Sequence, residues 1–292
     1  MRFVIWGDSK GKENGINKKV LNSIMSRISK LDPKPDCMIM LGDTVAGSND
    51  EEILIKQLFD LKDIIDKYTP HIKLIPVIGN HEVNINPNDD IYEKILSQFY
   101  YNLNPDGFLE NYNKSVYYKD FDDTRIIILN SHHPNEIHKI SSAQLDWVQN
   151  TACSDCDKNK LLFVHSPAYP TGAHLGHCLD LYPEDRNRFW KTVENCKIDT
   201  VFCGHEHNYS RRRIKNSNDD SYIYQIITGG AGEKLRNKYK STNGVIVPPN
   251  AIFHFLIADT ADKEINIQAI TYRGKKFDEF KICKSSISTS VK

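Results

Sequence analysis

Short apolar runs ending at glycine punctuate the first part of this chain, with amphipathic stretches between them. Phe3-Val4-Ile5-Trp6 ends at Gly7, Cys37-Met38-Ile39-Met40-Leu41 at Gly42, and residues 73–78 at Gly79. Between them, Ile16, Val20, Ile24, Ile28 and Leu31 recur at helical spacing, as do Leu54, Leu58, Leu61, Ile65 and Tyr68 within residues 51–68. Brief, continuously apolar runs predict buried strands, and the spaced positions predict helices with one buried face. Pro33 and Pro35 close the first helix. Strands alternating with helices predict α/β layers with covered sheets.

Residues 91–100 read as helix and 102–113 as loop, followed by strands 115–120 and 125–129 joined across Asp122-Asp123. Residues 142–151 read as a helix capped by Ser141 or Ser142, and 160–164 as a buried strand. Residues 183–196 read as a helix with Pro183 in its first turn, and 199–203 as another buried strand. Strands dominate from there: 210–214, 222–228, 252–258 and 264–271, the last two forming a hairpin across 259–262. One domain over residues 1–284 is expected, of two packed sheets with helices outside. Its β-rich part, about 210–284, completes the second sheet, and a disordered tail covers 285–292.

Composition narrows the function classes. The 38 basic and 38 acidic residues cancel, so no global field favours nucleic acid or an anionic membrane. No apolar run approaches the roughly 18 residues of a membrane span. Met1 to Trp6 enters a strand at once and is too short for a signal peptide. Seven cysteines in a chain of 292 residues predict reduced thiols in the cytoplasm. Cys153-Ser154-Asp155-Cys156 stands alone in a polar stretch and receives no redox or zinc role.

The candidate chemistry follows the strands. Asp8 follows Gly7, Asp43 follows Gly42, and Asn80 and His81 follow Gly79; His165 follows Leu161 to Val164, and His205 and His207 follow Val201-Phe202-Cys203-Gly204. Sites of open α/β sheets lie beyond the carboxyl ends of strands, so these groups should converge. On an extended backbone His205 and His207 point the same way, toward one metal centre or two adjacent ones. Two carboxylates, one amide oxygen and three imidazoles suit Mn, Fe or Zn. The set exceeds one tetrahedral ion and would serve two ions roughly 3.5–4 Å apart, bridged by one carboxylate and supplying hydroxide near neutral pH.

Gly7-Asp8, Gly42-Asp43, Gly79-Asn80-His81-Glu82, His165 and Gly204-His205-Glu206-His207 resemble the motifs of the calcineurin-like metallophosphoesterase superfamily, in order and spacing over residues 1–230. Gly204 to Arg211, Gln144-Leu145-Asp146-Trp147 and Thr228-Gly229-Gly230-Ala231-Gly232 are similar to its purple acid phosphatase branch. The resemblance implies a four-layer αββα sandwich of two mixed sheets flanked by helices. It implies two metal ions. Asp43 would bridge them, Asn80, His165 and His205 would complete one site, and Asp8 and His207 would hold the other. His81 would contact phosphate and protonate the leaving oxygen, Asn80 would also face substrate, and His174 would contact it from the loop 167–177. The implied activity is phosphoester hydrolysis, first as a phosphatase. The alternatives are a diesterase on cyclic nucleotides or similar diesters, and a non-catalytic scaffold. The expected partner is a small-molecule phosphoester; no nucleic acid, membrane or protein partner is inferred.

Two departures stand out. Lys10 occupies the place where the superfamily has a ligand histidine, and Ala46 the place where purple acid phosphatases have a ligand tyrosine. The Asp8 side is therefore expected to be more open and to hold its ion more weakly. The Lys10 ammonium is expected either in solvent or beside the phosphate. Arg211-Arg212-Arg213 is expected to lie mainly on a solvated strand face. The loops 83–114, 167–182 and 233–250, which would set the substrate, are not readable.

Overall fold

The computed structural model describes residues 1–83, 86–154, 158–261 and 264–283. In chain order the strands are β1 (Arg2–Trp6), β2 (Lys10–Glu13), β3 (Cys37–Met40), β4 (Lys73–Pro76), β5 (Gly107–Phe108), β6 (Tyr117–Asp120), β7 (Thr124–Ile128), β8 (Asn159–Phe163), β9 (Thr200–Cys203), β10 (Tyr209–Lys215), β11 (Tyr222–Thr228), β12 (Val245–Asn250), β13 (His254–Ala261), β14 (Glu264–Thr271) and β15 (Lys276–Cys283). The α-helices are α1 (Lys18–Ile28), α2 (Glu51–Tyr68), α3 (Asn80–Val83), α4 (Ile91–Phe99), α5 (Ser142–Trp147) and α6 (Pro183–Asn195). One sheet runs β15-β14-β13-β1-β3-β4 and the other β12-β10-β11-β9-β8-β7-β6-β5. Both are mixed: β1, β3 and β4 are parallel, as are β7, β8, β9 and β11, while the flanking strands pair antiparallel.

Three apolar layers hold the sandwich together. Phe3, Ile5, Ile39, Ile126, Phe163, Phe202 and Ile226 fill the space between the sheets. Phe163 and Phe202 stack there with centroids 4.9 Å apart. The opposite residues of β1 and β3, Val4, Trp6, Met38 and Met40, meet Leu21, Ile24, Leu58 and Leu61 of α1 and α2. Ile127, Leu162 and Val201 meet Leu145, Phe189 and Val193 of α5 and α6. Each such side chain contributes roughly 1.5–3 kcal/mol by leaving water, so a cavity at Phe163 would loosen both sheets just below the strand ends. The expected four-layer α/β architecture is the one observed.

The helices begin where caps allow. Asn17 accepts the Val20 N–H at 3.2 Å, so α1 opens at Lys18 and not at Ile16. Asp50 caps α2, and Glu51 and Glu52 complement its N-terminal dipole. Strands after residue 209 do not all complete the second sheet: β10 to β12 join it, whereas β13 to β15 extend the first sheet through β1. Sequence patterning misses β12 and β15, which are both edge strands. β12 carries Pro248 and Pro249, and β15 alternates charges with apolar residues, so neither looks like a buried strand. Cys156, the turn residue Asp262 and the tail 285–292 lie outside the described residues.

Candidate metal centre

All six predicted ligands sit together beyond the strand ends. Asp8, Asp43, His205 and His207 each adopt a left-handed backbone, with φ of 59°, 50°, 69° and 50°. Such angles are uncommon for residues with a side chain and cluster at functional sites. Here they turn each chain sharply at its strand end. Gly204 makes room for this packing, because a Cβ there would lie 2.7 Å from Asp8 Oδ2. Asp8 Oδ2 accepts the His205 N–H at 3.0 Å, and Asp43 Oδ1 accepts the His81 N–H at 2.9 Å.

Two buried glutamates from the motifs fasten the surrounding loops, a role the sequence reading did not assign. Glu82 accepts the N–H groups of Asp43, Thr44 and Gly79 at 2.9, 2.5 and 3.1 Å and the Thr44 hydroxyl at 2.8 Å. Glu206 accepts the N–H groups of Thr171, Gly172 and His174 at 2.5, 2.9 and 3.1 Å and the Thr171 hydroxyl at 2.6 Å. Their place inside Gly-Asn-His-Glu and Gly-His-Glu-His was the available signal.

One half of the centre fits a metal ion. His165 Nδ1 donates to the Leu41 carbonyl at 2.6 Å, and His205 Nε2 donates to the His177 carbonyl at 3.1 Å. Each ring therefore offers its other nitrogen as a lone pair, as metal-binding histidines do. Those nitrogens, His165 Nε2 and His205 Nδ1, face each other at 3.2 Å, with Asn80 Oδ1 at 3.2 Å and Asp43 Oδ1 at 3.4 Å from the former. Lone pairs so close need positive charge between them, a proton on His165 or a metal ion in its place. Burial opposes charge on His165, but Asp43 beside it outweighs burial and raises its pKa to about 9. Burial and then His165 keep His205 neutral.

The other half does not fit a second ion as it stands. Asp8, Asp43 and His207 bring ligand atoms together, and Asp8 Oδ1 is buried without a hydrogen-bond partner. Yet Lys10 Nζ donates to Asp43 Oδ2 and lies 3.5 Å from His207 Nε2. Arg236 Nε donates to His207 Nδ1 at 3.4 Å. A guanidinium and an ammonium both only donate, so each His207 ring nitrogen faces a cation of the chain itself, and Nε2 also lies 3.5 Å from Asp8 Oδ1. Burial, then Lys10, lowers the His207 pKa to about 2. This side is not open: Asp8 and His207 are buried, and so is Lys10. The ammonium is not in solvent, since it rests on the Asp43 carboxylate. Burial opposes its charge, but Asp43 and Asp8 outweigh it and raise its pKa.

His81 and His174 border the same space. His81 Nδ1 donates to the carbonyl of Ala46, the residue that stands in for the ligand tyrosine, at 3.0 Å. The His174 ring lies 4.4 Å from that of His205 and 5.2 Å from that of His207, centroid to centroid. Its Nδ1 is buried without a hydrogen-bond partner, and burial, then Arg236, lowers its pKa to about 4. The arginine run is not a solvated face. Arg211 meets Asp278 at 3.1 Å and Arg212 donates to the Ser241 carbonyl at 3.0 Å, both buried, while Arg213 is exposed. Sequence reading missed Arg236, which lies in an unreadable loop. It also missed buried His132, whose ring centroid is 5.7 Å from that of His165 and whose Nε2 pairs with Ser166 Oγ at 2.9 Å.

A sandwich with aspartate, asparagine and histidine at its parallel strand ends defines a metallophosphoesterase, a hydrolase of phosphoester bonds. The calcineurin-like phosphoesterase family model matches residues 1–209, and the chain belongs to that family. It is 24% identical over 254 residues to the serine/threonine-protein phosphatase CPPED1 of Danio rerio, covering 85% of this chain and 76% of that one. It is 32% identical over 170 residues to a probable glycerophosphodiester phosphodiesterase GpdQ of Arcobacter nitrofigilis, a match that spans 56% of this chain and 55% of the relative. Among solved structures, purple acid phosphatase PPD1 from yellow lupin (Lupinus luteus) seeds superposes with a TM-score of 0.78 at 16% identity, over 97% of this chain and 53% of that one. That likeness bears on the fold. Among the described residues no helix is long and apolar enough to cross a membrane.

Proposed function

We propose that this chain hydrolyses phosphoesters, phosphomonoesters first, with a metal ion seated by Asp43, Asn80, His165 and His205. The observation that carries this reading is the pair of imidazole nitrogens facing each other at 3.2 Å, each ring's other N–H committed to a carbonyl. An Mn, Fe or Zn ion at that seat would supply a water of lowered pKa and offset charge on phosphoryl oxygens. His81 keeps Nδ1–H on the Ala46 carbonyl, which leaves Nε2 to hold or give a proton at the leaving oxygen. His174, with its unpartnered Nδ1, is the second candidate acid and substrate contact. The Asn80 amide and the Lys10 ammonium supply donors for phosphoryl oxygens. The dinuclear form that the resemblance implies asks for a second ion where Lys10 stands. The catalytic unit is taken as residues 1–284, in the cytoplasm, with a small-molecule phosphoester as partner.

One observation favours a diester reading: a relative 32% identical is named a probable glycerophosphodiester phosphodiesterase. Rates on an aryl phosphomonoester and its diester, across Mn, Fe and Zn, separate the two. Asp43→Ala is expected to reduce hydrolysis to the background of chelated protein. Unchanged turnover in that variant sinks the metal's part, and no metal-dependent turnover on either ester leaves a non-catalytic scaffold.

A further inference from the structure

We propose that the centre is built for a single metal ion, and that the Lys10 ammonium takes the place of a second ion between Asp8, Asp43 and His207. This rests on the metal-dependent reading above. The carboxylate expected to bridge two metals already bridges. Asp43 Oδ1 faces His165 Nε2 at 3.4 Å on the metal side, and Asp43 Oδ2 accepts from Lys10 Nζ on the other.

Lys10 is fixed at both ends. Its N–H donates to the Asp43 carbonyl at 3.2 Å and its backbone bridges to Ile16, while only 7% of its side chain is exposed. His207 is wired against ligation. Arg236 occupies its Nδ1, and the nitrogen that faces Asp8 also faces the Lys10 ammonium at 3.5 Å. A metal-bound histidine has the reverse arrangement, its outer N–H given to an acceptor, as His165 and His205 have here. Charge agrees with this placement. A second divalent ion in contact with Asp43 would sit against the ammonium in a buried space, where like charges repel strongly. The lysine instead delivers one fixed positive charge that no chelator removes, and it can donate to a phosphoryl oxygen as a point charge.

Metal stoichiometry tests this without reference to turnover. The full chain is stripped with chelator, reloaded separately with Mn, Fe or Zn in modest excess, desalted and assayed for metal per chain. One equivalent is expected, retained in His207→Ala and lost in His205→Ala. Lys10→His, which restores an imidazole at this place, is expected to take up a second equivalent. Two equivalents in the unaltered chain, or loss of the ion in His207→Ala, overturns the proposal and leaves the metal-dependent reading standing. No bound metal in the unaltered chain overturns both. Lys10→His still at one equivalent overturns the assignment to the ammonium. Should Lys10→His fail to fold, the two histidine-to-alanine variants decide the matter.

Discussion

The halves of the centre share Asp43 and draw on the same residue types, yet they are wired in opposite senses. On one side, backbone carbonyls of Leu41 and His177 take the outer protons of His165 and His205, so their inner nitrogens point lone pairs at each other. On the other, Arg236 takes the outer lone pair of His207 and Lys10 takes an oxygen of Asp43. His205 and His207 are separated by one residue and both left-handed, so backbone geometry does not distinguish them. The difference lies in what stands behind each ring. A ligand is made as much by the acceptor on its far side as by its own position.

The largest expected effect that sharpens this contrast is at His81. It holds Asp43 through its backbone N–H, which any residue but proline supplies, and its ring gives Nδ1–H to Ala46, so Nε2 is left for chemistry. His81→Asn should keep the metal and lower kcat by about 10²–10⁴-fold, measured with metal content on the same sample. Loss of metal would place the ring among the ligands and redraw the metal-binding half.

His254 tests whether wiring alone makes a ligand. Its Nδ1 donates to the Ile252 carbonyl at 2.8 Å, as His165 does to Leu41, but its Nε2 meets only the Thr228 hydroxyl at 2.9 Å. Burial lowers its pKa to about 4, against a slight opposing pull from Ile252. A histidine with a depressed folded pKa lends stability that is full above its unfolded value near 6.5 and is lost as pH falls toward 4. The loss amounts to about 3 kcal/mol over that range. Urea unfolding of metal-free protein and of His254→Gln at pH 7 and pH 5 should show a smaller acid loss in the variant. Equal losses would remove this buried neutral histidine from the comparison.

The smallest effects belong to the loop fasteners. Glu82→Gln, beside Asp43, should weaken metal binding by about 10–100-fold. Glu206→Gln, which fastens the His174 loop, should raise KM with metal affinity unchanged. Titration with a metal indicator and steady-state kinetics separate them. Equal weakening of metal binding by both would mean that the halves are not separable.

The converging residues were legible because each follows a buried strand, and buried strands are the plainest signal in this chain. Asp8, Asp43, Asn80, His165, His205 and His207 all meet at the strand ends. The wiring behind them was not legible. The carbonyls of Leu41 and His177 carry no side-chain signature, and Arg236 lies where hydrophobic periodicity says nothing. Lys10 was legible as a departure, but its contact with Asp43 depends on β2 turning back along the Asp43 loop. Edge strands β12 and β15 escaped for the opposite reason, since their prolines and charges are the marks of strands that face water.

Those same edges have a consequence for how the molecule behaves at high concentration. β5 is two residues long, β4 ends in Pro76, β12 contains two prolines, and β15 carries Lys276, Asp278, Glu279 and Lys281. Each of the four sheet edges is short, lacks N–H groups or bears charge, and such edges are poor templates for an incoming strand. Strand-by-strand accretion of copies into fibres is disfavoured while the fold persists.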